Sequence, residues 1–462
     1  VRDKVEPRTP PNTFSRRLLL GSASLGSRWS RNWGLRPGHW ARRAVIVPKG
    51  RDRRFATRSL AAVGRVIEDV FWFESLQQWK LKQMRNLVIT LVTAFLFAAP
   101  SVFAAPMPER LNLPTSILLE ARTAMRRGAA YLAESQRPDG SWANHPVITS
   151  LATVALLNAP HADIADKPSN MARALDYIKE QRKDDGGIWN ARSREYPLYS
   201  TAMSMLALVR AGREADRPVL EAARAYLKNS QRTDVAPDSP AFGGFSENPG
   251  QPPTLTITQW VLEALYLTDS LEEEPGQSTP VYEHALVFIR RCQTAAEDGT
   301  YPADDLPPPG CFRDFPGGVV QREAGRAPGT PRSTAFLTCV GMKSLIYARC
   351  PPQHASVQSA LRCLQSAYST RENPELGQQG FYTYIFALSK ALNSLGKDIL
   401  IDNEGKRQFW RRDVVLALLG RQHGDGSWRH NEPAWWENHS ELVTAYALLT
   451  MQRCLLPEED RL

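Results

Sequence analysis

Two kinds of apolar pattern alternate along residues 118–454. In the first, Leu118, Ala121, Met125, Ala129 and Leu132 recur at steps of three and four, with Arg122, Arg126 and Arg127 between them. That spacing predicts an outer helix with one buried face. In the second, Leu151–Leu157 and Met203–Val209 are apolar almost all round. Such runs predict inner helices, covered by an outer partner on one side and facing a closed interior on the other.

The connections between the two kinds repeat. A Gln is followed by a polar stretch, a Gly and an aromatic residue in Gln136/Gly140/Trp142, Gln181/Gly187/Trp189, Gln231/Gly244/Phe245, Gln293/Gly299/Tyr301 and Gln422/Gly426/Trp428. The Asp139-Gly140 and Asp425-Gly426 turns stop a helix, since Gly accepts positive φ and Asp bonds its own backbone. The Gln amide and the aromatic ring are then read as a clamp between helix ends, and Asp184-Asp185 as part of such a turn. A further unit has an outer stretch around residues 360–365 and an inner run from Gly380-Phe-Tyr-Thr-Tyr384 to Leu392. Six helix pairs over residues 106–462 make about 60 residues each, so stacked hairpins closing into a ring are expected.

The five clamps, with the inner-helix openings Tyr199-Ser-Thr-Ala202, Ser333-Thr-Ala335 and Thr444-Ala445, resemble the repeats of squalene–hopene cyclases, oxidosqualene cyclases and protein prenyltransferase β subunits. The resemblance covers residues 118–454 and implies an all-α, (α/α)6 toroid. One fold hosts many functions, so it says less about chemistry.

Triterpene cyclases of this family protonate their substrate with an Asp-x-Asp-Asp motif, which this chain lacks. Pro302-Ala-Asp304-Asp305 is its nearest stretch, and Asp304 and Asp305 are the candidate acids. They lie in a Pro-rich insertion from Tyr301 to Arg332 that is read as a loop able to cover one mouth of the ring. Prenyltransferases hold zinc with Asp-x-Cys and a His. Here His439 sits comparably, but Cys311 and Asp314 have the wrong order and spacing, so no metal is expected. Glu432, Trp435, Trp436, Glu437 and His439 precede the last inner helix, and Tyr382 and Tyr384 open the one before. Glu437 and His439 join the Asp pair as candidate catalytic groups; Tyr199, Trp260, Tyr382, Tyr384, Trp435 and Trp436 are the candidate cavity residues. Aromatic faces with a few acids suit a carbocation, a stacked sugar, or simple corner packing.

The front of the chain reads differently. Met84, the first methionine, is followed by Arg85-Asn86, an apolar run from Leu87 to Ala99 and Val102-Phe-Ala104. That order predicts a secretory signal over 84–104, too short for the ~20 residues of a membrane span. Residues 1–83 hold eighteen Lys and Arg against six Asp and Glu and show no element pattern; they are read as an over-extended start, with the toroid at 105–462. The whole chain carries +9, the leader +12 and the rest about −3, so the basic balance implies no nucleic-acid partner. All six Cys lie from Cys292 onward; Cys350 and Cys363 are the expected disulfide, and Cys339 is read as a small buried hydrophobe.

The combined expectation is an exported toroid that binds an apolar, isoprenoid-like ligand in its central cavity, with no dissociable cofactor and with cyclisation as the reaction if it is an enzyme. Peripheral association with a membrane fits that ligand class. A non-catalytic binding or scaffold toroid and an exported carbohydrate-active enzyme are the alternatives.

Overall fold

The computed structural model describes residues 113–159, 167–248, 250–272, 276, 278–294, 309–316 and 334–455. Asp304, Asp305, the segment 84–104 and residues 1–83 lie outside them. The described chain is all-α. Outer helices are α1 (Thr115–Glu134), α3 (Lys167–Glu180), α5 (Arg217–Asn229), α7 (Thr279–Cys292), α9 (Ala355–Ser366) and α11 (Trp410–Leu419). Inner helices are α2 (Pro146–Leu157), α4 (Pro197–Ala211), α6 (Leu255–Leu267), α8 (Thr334–Tyr347), α10 (Phe381–Ser394) and α12 (Ser440–Leu455). A two-stranded hairpin, Leu400–Ile401 against Arg407–Gln408, links α10 to α11.

Each inner helix packs on the next, and α12 packs back on α2, so the six close into a ring with the outer helices around it. Closure is also polar: the Gln452 amide donates to the Ala155 carbonyl (2.8 Å), and Tyr131 on α1 meets Ser440 on α12 at 2.8 Å. The fold is an (α/α)6 toroid.

The clamps explain why the hairpins stack. Gln136 Nε2 donates to the Gly140 carbonyl within its own turn and to the Asn170 carbonyl on the next outer helix, both at 2.9 Å. Gln422 does the same across the closure, to Gly426 (2.9 Å) and to Ala124 on α1 (2.8 Å). Gln231 and Gln293 repeat the geometry. One side chain thus bonds a turn carbonyl of its own repeat and a carbonyl inside the next outer helix, and so ties neighbouring repeats together. The ring stacked on this corner is fixed too: Trp142 Nε1 donates to Leu132 O and Trp428 Nε1 to Leu418 O, each at 2.8 Å.

The inner-helix Thr of the repeated openings has a matching task. Thr149, Thr201, Thr258 and Thr444 accept the backbone N–H of Trp142, Ile188, Phe245 and Trp428, at 2.9–3.1 Å.

Three clamps differ from the expected spelling; in the third, Gln231 bonds the carbonyl of Gly243, not of Gly244. In the second, Ile188 fills the fully buried slot while Trp189 stays half-buried under Lys183, and Gln181 bonds only back to Tyr177 O. In the fourth, Gln293 pairs with Gly310 and Phe312; Gly299 and Tyr301 of the expected spelling lie outside the described residues. The Gly that matters is the one at positive φ: Gly140, Gly186, Gly243, Gly310 and Gly426. A Cβ on any of them would meet the backbone of the next outer helix, 2.0 Å from His284 O in the case of Gly243. Only Gly allows both that φ and that approach.

The disulfide expectation is also corrected. Cys311 bonds Cys363, and Cys350 is a buried free thiol. The bridge ties the fourth clamp to α9, which the sequence spacing could not reveal because Cys311 sits in an irregular stretch. Cys339 is buried in α8.

Candidate functional site

The N-terminal ends of the inner helices form one mouth. Pro146 and Pro197 start α2 and α4, where a missing N–H costs nothing. Acidic side chains from the following repeat close three of the starts, α4 among them. Glu247 accepts the N–H of Leu198 (2.8 Å) and Tyr199 (3.0 Å) on α4. Asp314 accepts Thr256 N and Oγ1 on α6 at 2.9 and 2.8 Å. Glu437 accepts Thr383 N and Oγ1 on α10 at 2.8 and 2.9 Å. Acidic side chains suit these positions because each completes open backbone donors at the positive end of the helix dipole, although burial still lifts the Glu247 pKa to about 8. Asp314 is therefore a helix cap.

Aromatic residues fill the axis below this mouth. The Trp436 ring lies 4.7 Å from His145, 5.2 Å from Tyr196 and 6.2 Å from Tyr199. Tyr199 continues to Trp260 at 5.6 Å, and Trp260 to Phe386 at 6.2 Å. Phe386 reaches Tyr446 at 5.0 Å, whose hydroxyl meets that of Tyr199 at 3.3 Å. Three of the expected cavity residues, Tyr199, Trp260 and Trp436, thus share one column. The others stand apart from it: Tyr382 packs toward His430, Trp435 against Phe336, and the Tyr384 hydroxyl donates outward to the Ser369 carbonyl.

Trp435 and Trp436 both take positive φ, 66° and 58°. Bulky residues rarely adopt that region, and such strain costs on the order of 1–3 kcal/mol per residue. The surrounding contacts hold it in place: Trp436 in the column, Glu437 beneath Thr383, and His439 N donating to Trp436 O at 3.0 Å.

His430 Nδ1 lies 3.1 Å from the second oxygen of the fully buried Glu437, and that bond pulls the His430 pKa above its ordinary 6.5. A raised folded-state pKa gives stability that is complete below 6.5 and fades as pH rises through the shifted value. Replacing His430 by Asn should therefore flatten the stability profile on the alkaline side of 6.5, read by thermal unfolding at a series of pH values. His145 acts oppositely: burial holds it down to about 4, so it favours folding more as pH rises from 4 to 6.5.

The other end of the axis is charged, contrary to an interior apolar throughout. Glu263 on α6 lies between Lys343 on α8, at 3.2 Å, and Lys390 on α10, in direct contact. All three are at least nine-tenths buried, as is Arg453 on α12. The two ammonium groups hold the Glu263 carboxyl down at about 2. They also sit against the Trp260 face, at 4.6 and 5.3 Å from its centroid, which is favourable cation–π geometry. A cavity of about 30 Å³ opens beside Lys390 and Arg453, walled mainly by Leu151, Val154, Met203, Leu206 and Leu449.

Sequence reasoning missed this cluster because each residue looks like an ordinary solvent-facing charge in its own helix. The available signal was a single Glu or Lys inside a run too apolar for an exposed helix, in three inner helices. Among the described residues no three His, Cys, Asp or Glu side chains are grouped to hold a metal ion.

No family profile matches the chain. It is 33% identical over 286 residues to a squalene–hopene cyclase of Alicyclobacillus acidocaldarius, a match over 57% of this chain and 40% of that protein. The chain thus spans well under half the length of this relative. Among solved structures, a protein from Actinoplanes is 16% identical, covering 72% of this chain and 99% of that one, with a TM-score of 0.46. The type II terpene cyclase MstE from Scytonema, in complex with merosterolic acid A, is 13% identical, covering 74% and 100%, with a TM-score of 0.48. An α-1,6-mannanase of Salegentibacter is 10% identical, covering 74% and 100%, with a TM-score of 0.45. The Gln-clamped ring of six hairpins makes this chain an α/α toroid protein, similar over part of its length to a squalene–hopene cyclase.

Proposed function

We propose that the toroid binds an apolar, isoprenoid-like ligand along its axis, in an exported protein released after the signal-like run at 84–104. The observation that supports this best is the aromatic column. Trp436, Tyr199, Trp260, Phe386 and Tyr446 come from four inner helices and one mouth segment, yet their rings converge in one cluster, closed by the contact of the Tyr446 and Tyr199 hydroxyls. Stacked faces of this kind suit a hydrocarbon chain and any positive charge that develops on it.

The cavity beside Lys390, of about 30 Å³, is far below the ~300–1,000 Å³ of usual ligand sites, so a ligand that reaches it enters by displacing neighbouring side chains. The strained Trp435-Trp436 turn is the element placed to move. The two lysines that hold Glu263 ionised make it a poor proton donor, and Glu437 is committed to capping α10. If cyclisation follows binding, the proposed donors are Asp304 and Asp305, and the double change to Asn should stop turnover and leave binding intact.

Farnesol, a fifteen-carbon prenyl alcohol, is expected to quench the tryptophan fluorescence of the full chain saturably, and Trp260→Leu to weaken binding by ~10-fold or more. A protein that purifies without lipid and gives no saturable quenching would remove this reading.

A further inference from the structure

We infer that the charged end of the axis is a binding site for an anionic head group, so that the ligand of this toroid is an apolar monoanion, a carboxylate on an isoprenoid or similar hydrocarbon tail. This rests on the isoprenoid reading and adds the head group to it.

The argument starts from charge. One carboxylate, Glu263, serves two ammonium groups, Lys343 and Lys390, and the guanidinium of Arg453 lines the same cavity. Arg453 donates to the Ser389 hydroxyl at 3.2 Å, and Glu263 also receives the Gln259 amide at 3.4 Å. Among the described residues no second carboxylate lines the cavity. Buried charge in excess of its counter-charge is costly, and the protein can relieve it by losing a proton from a lysine or by taking up an anion. Burial and the like charges of Lys343 and Arg453 already pull the Lys390 ammonium well below its ordinary range. An anion beside Lys390 reverses that pull.

The walls say what the anion is attached to. Leu151, Val154, Met203, Leu206, Leu267 and Leu449 make the wall away from the charges mainly apolar, with Ser150 and Asn158 its other polar groups, so a methylene or isoprene chain packs on it better than a sugar or a nucleotide. The volume of about 30 Å³ fits a group of carboxylate size.

Farnesoate and farnesol, which share a tail and differ in the head, separate the claims when titrated into the full chain. The expected result is ~10-fold or tighter binding of the acid, lost in Lys390→Met and kept in Lys390→Arg. Lys390→Met leaves Glu263 paired one-to-one with Lys343, so the variant should fold; circular dichroism melting checks this. Equal affinity for acid and alcohol overturns the anionic head and leaves the isoprenoid reading standing. A preference for the acid that survives in folded Lys390→Met overturns the assignment to this cluster. Binding of neither overturns the isoprenoid reading and the head group with it.

Discussion

Trp428→Ala is expected to destabilise the fold by about 3–5 kcal/mol, whereas Trp189→Ala should cost no more than about 1 kcal/mol. Both residues hold the same place in the repeated spelling, so the difference comes from structure alone. Trp428 is fully buried, donates its indole N–H to Leu418 O, and would touch a Cβ placed on Gly128 at 2.7 Å. It therefore fills the joint between the last hairpin and the first. Truncation leaves a cavity there and removes one of the two hydrogen bonds to Leu418 O, which Arg421 N also meets at 3.1 Å. Trp189 is half-buried, and the slot it would occupy belongs to Ile188. Chemical denaturation of the two variants measures the gap. Equal losses would show that the spelling, not the packing, defines the clamp.

That contrast marks how far the sequence could be read. The toroid was legible because its signals are local and repeated: outer helices show one apolar stripe, inner helices none, and Gln-Gly-aromatic turns join them. Clamp four was misread because an insertion separates Gln293 from Gly310 and Phe312, and spacing alone favours the nearer Gly299. Within the candidate site, Tyr199, Trp260 and Trp436 were singled out and do meet on the axis. Tyr384 was singled out on the same grounds and turns outward, since rotation about a helix axis cannot be fixed from one residue next to Gly380. The Glu247, Asp314 and Glu437 caps escaped because each closes a helix 49 to 58 residues earlier in the chain. The Glu263 cluster escaped for the same reason, as its pairs span 80 and 127 residues.

Glu263→Gln should be the most damaging single change along the axis, at about 3–5 kcal/mol, because it strips the shared counter-charge from Lys343 and Lys390. The amide keeps the shape of the carboxyl, so lost packing contributes little. The burden is desolvated positive charge, met by expelling a proton from a lysine or by opening the ring. A pH series isolates the cause. In the parent, Glu263 is held at about 2 against an ordinary 4.5, so it gives stability that is present above 4.5 and is lost as pH falls from 4.5 to 2. The Gln variant should lack that acid limb. It should instead gain stability as pH rises toward the ordinary lysine range, where the unfolded chain also gives up its proton. Replacing all three residues together, Glu263→Leu with Lys343→Met and Lys390→Met, removes the charge and its counter-charge at once. Such a triple variant should recover most of the loss, and should also lose any preference for farnesoate over farnesol. Recovery of stability with the preference intact would separate the folding role of the cluster from ligand binding and place the anionic head elsewhere on the axis.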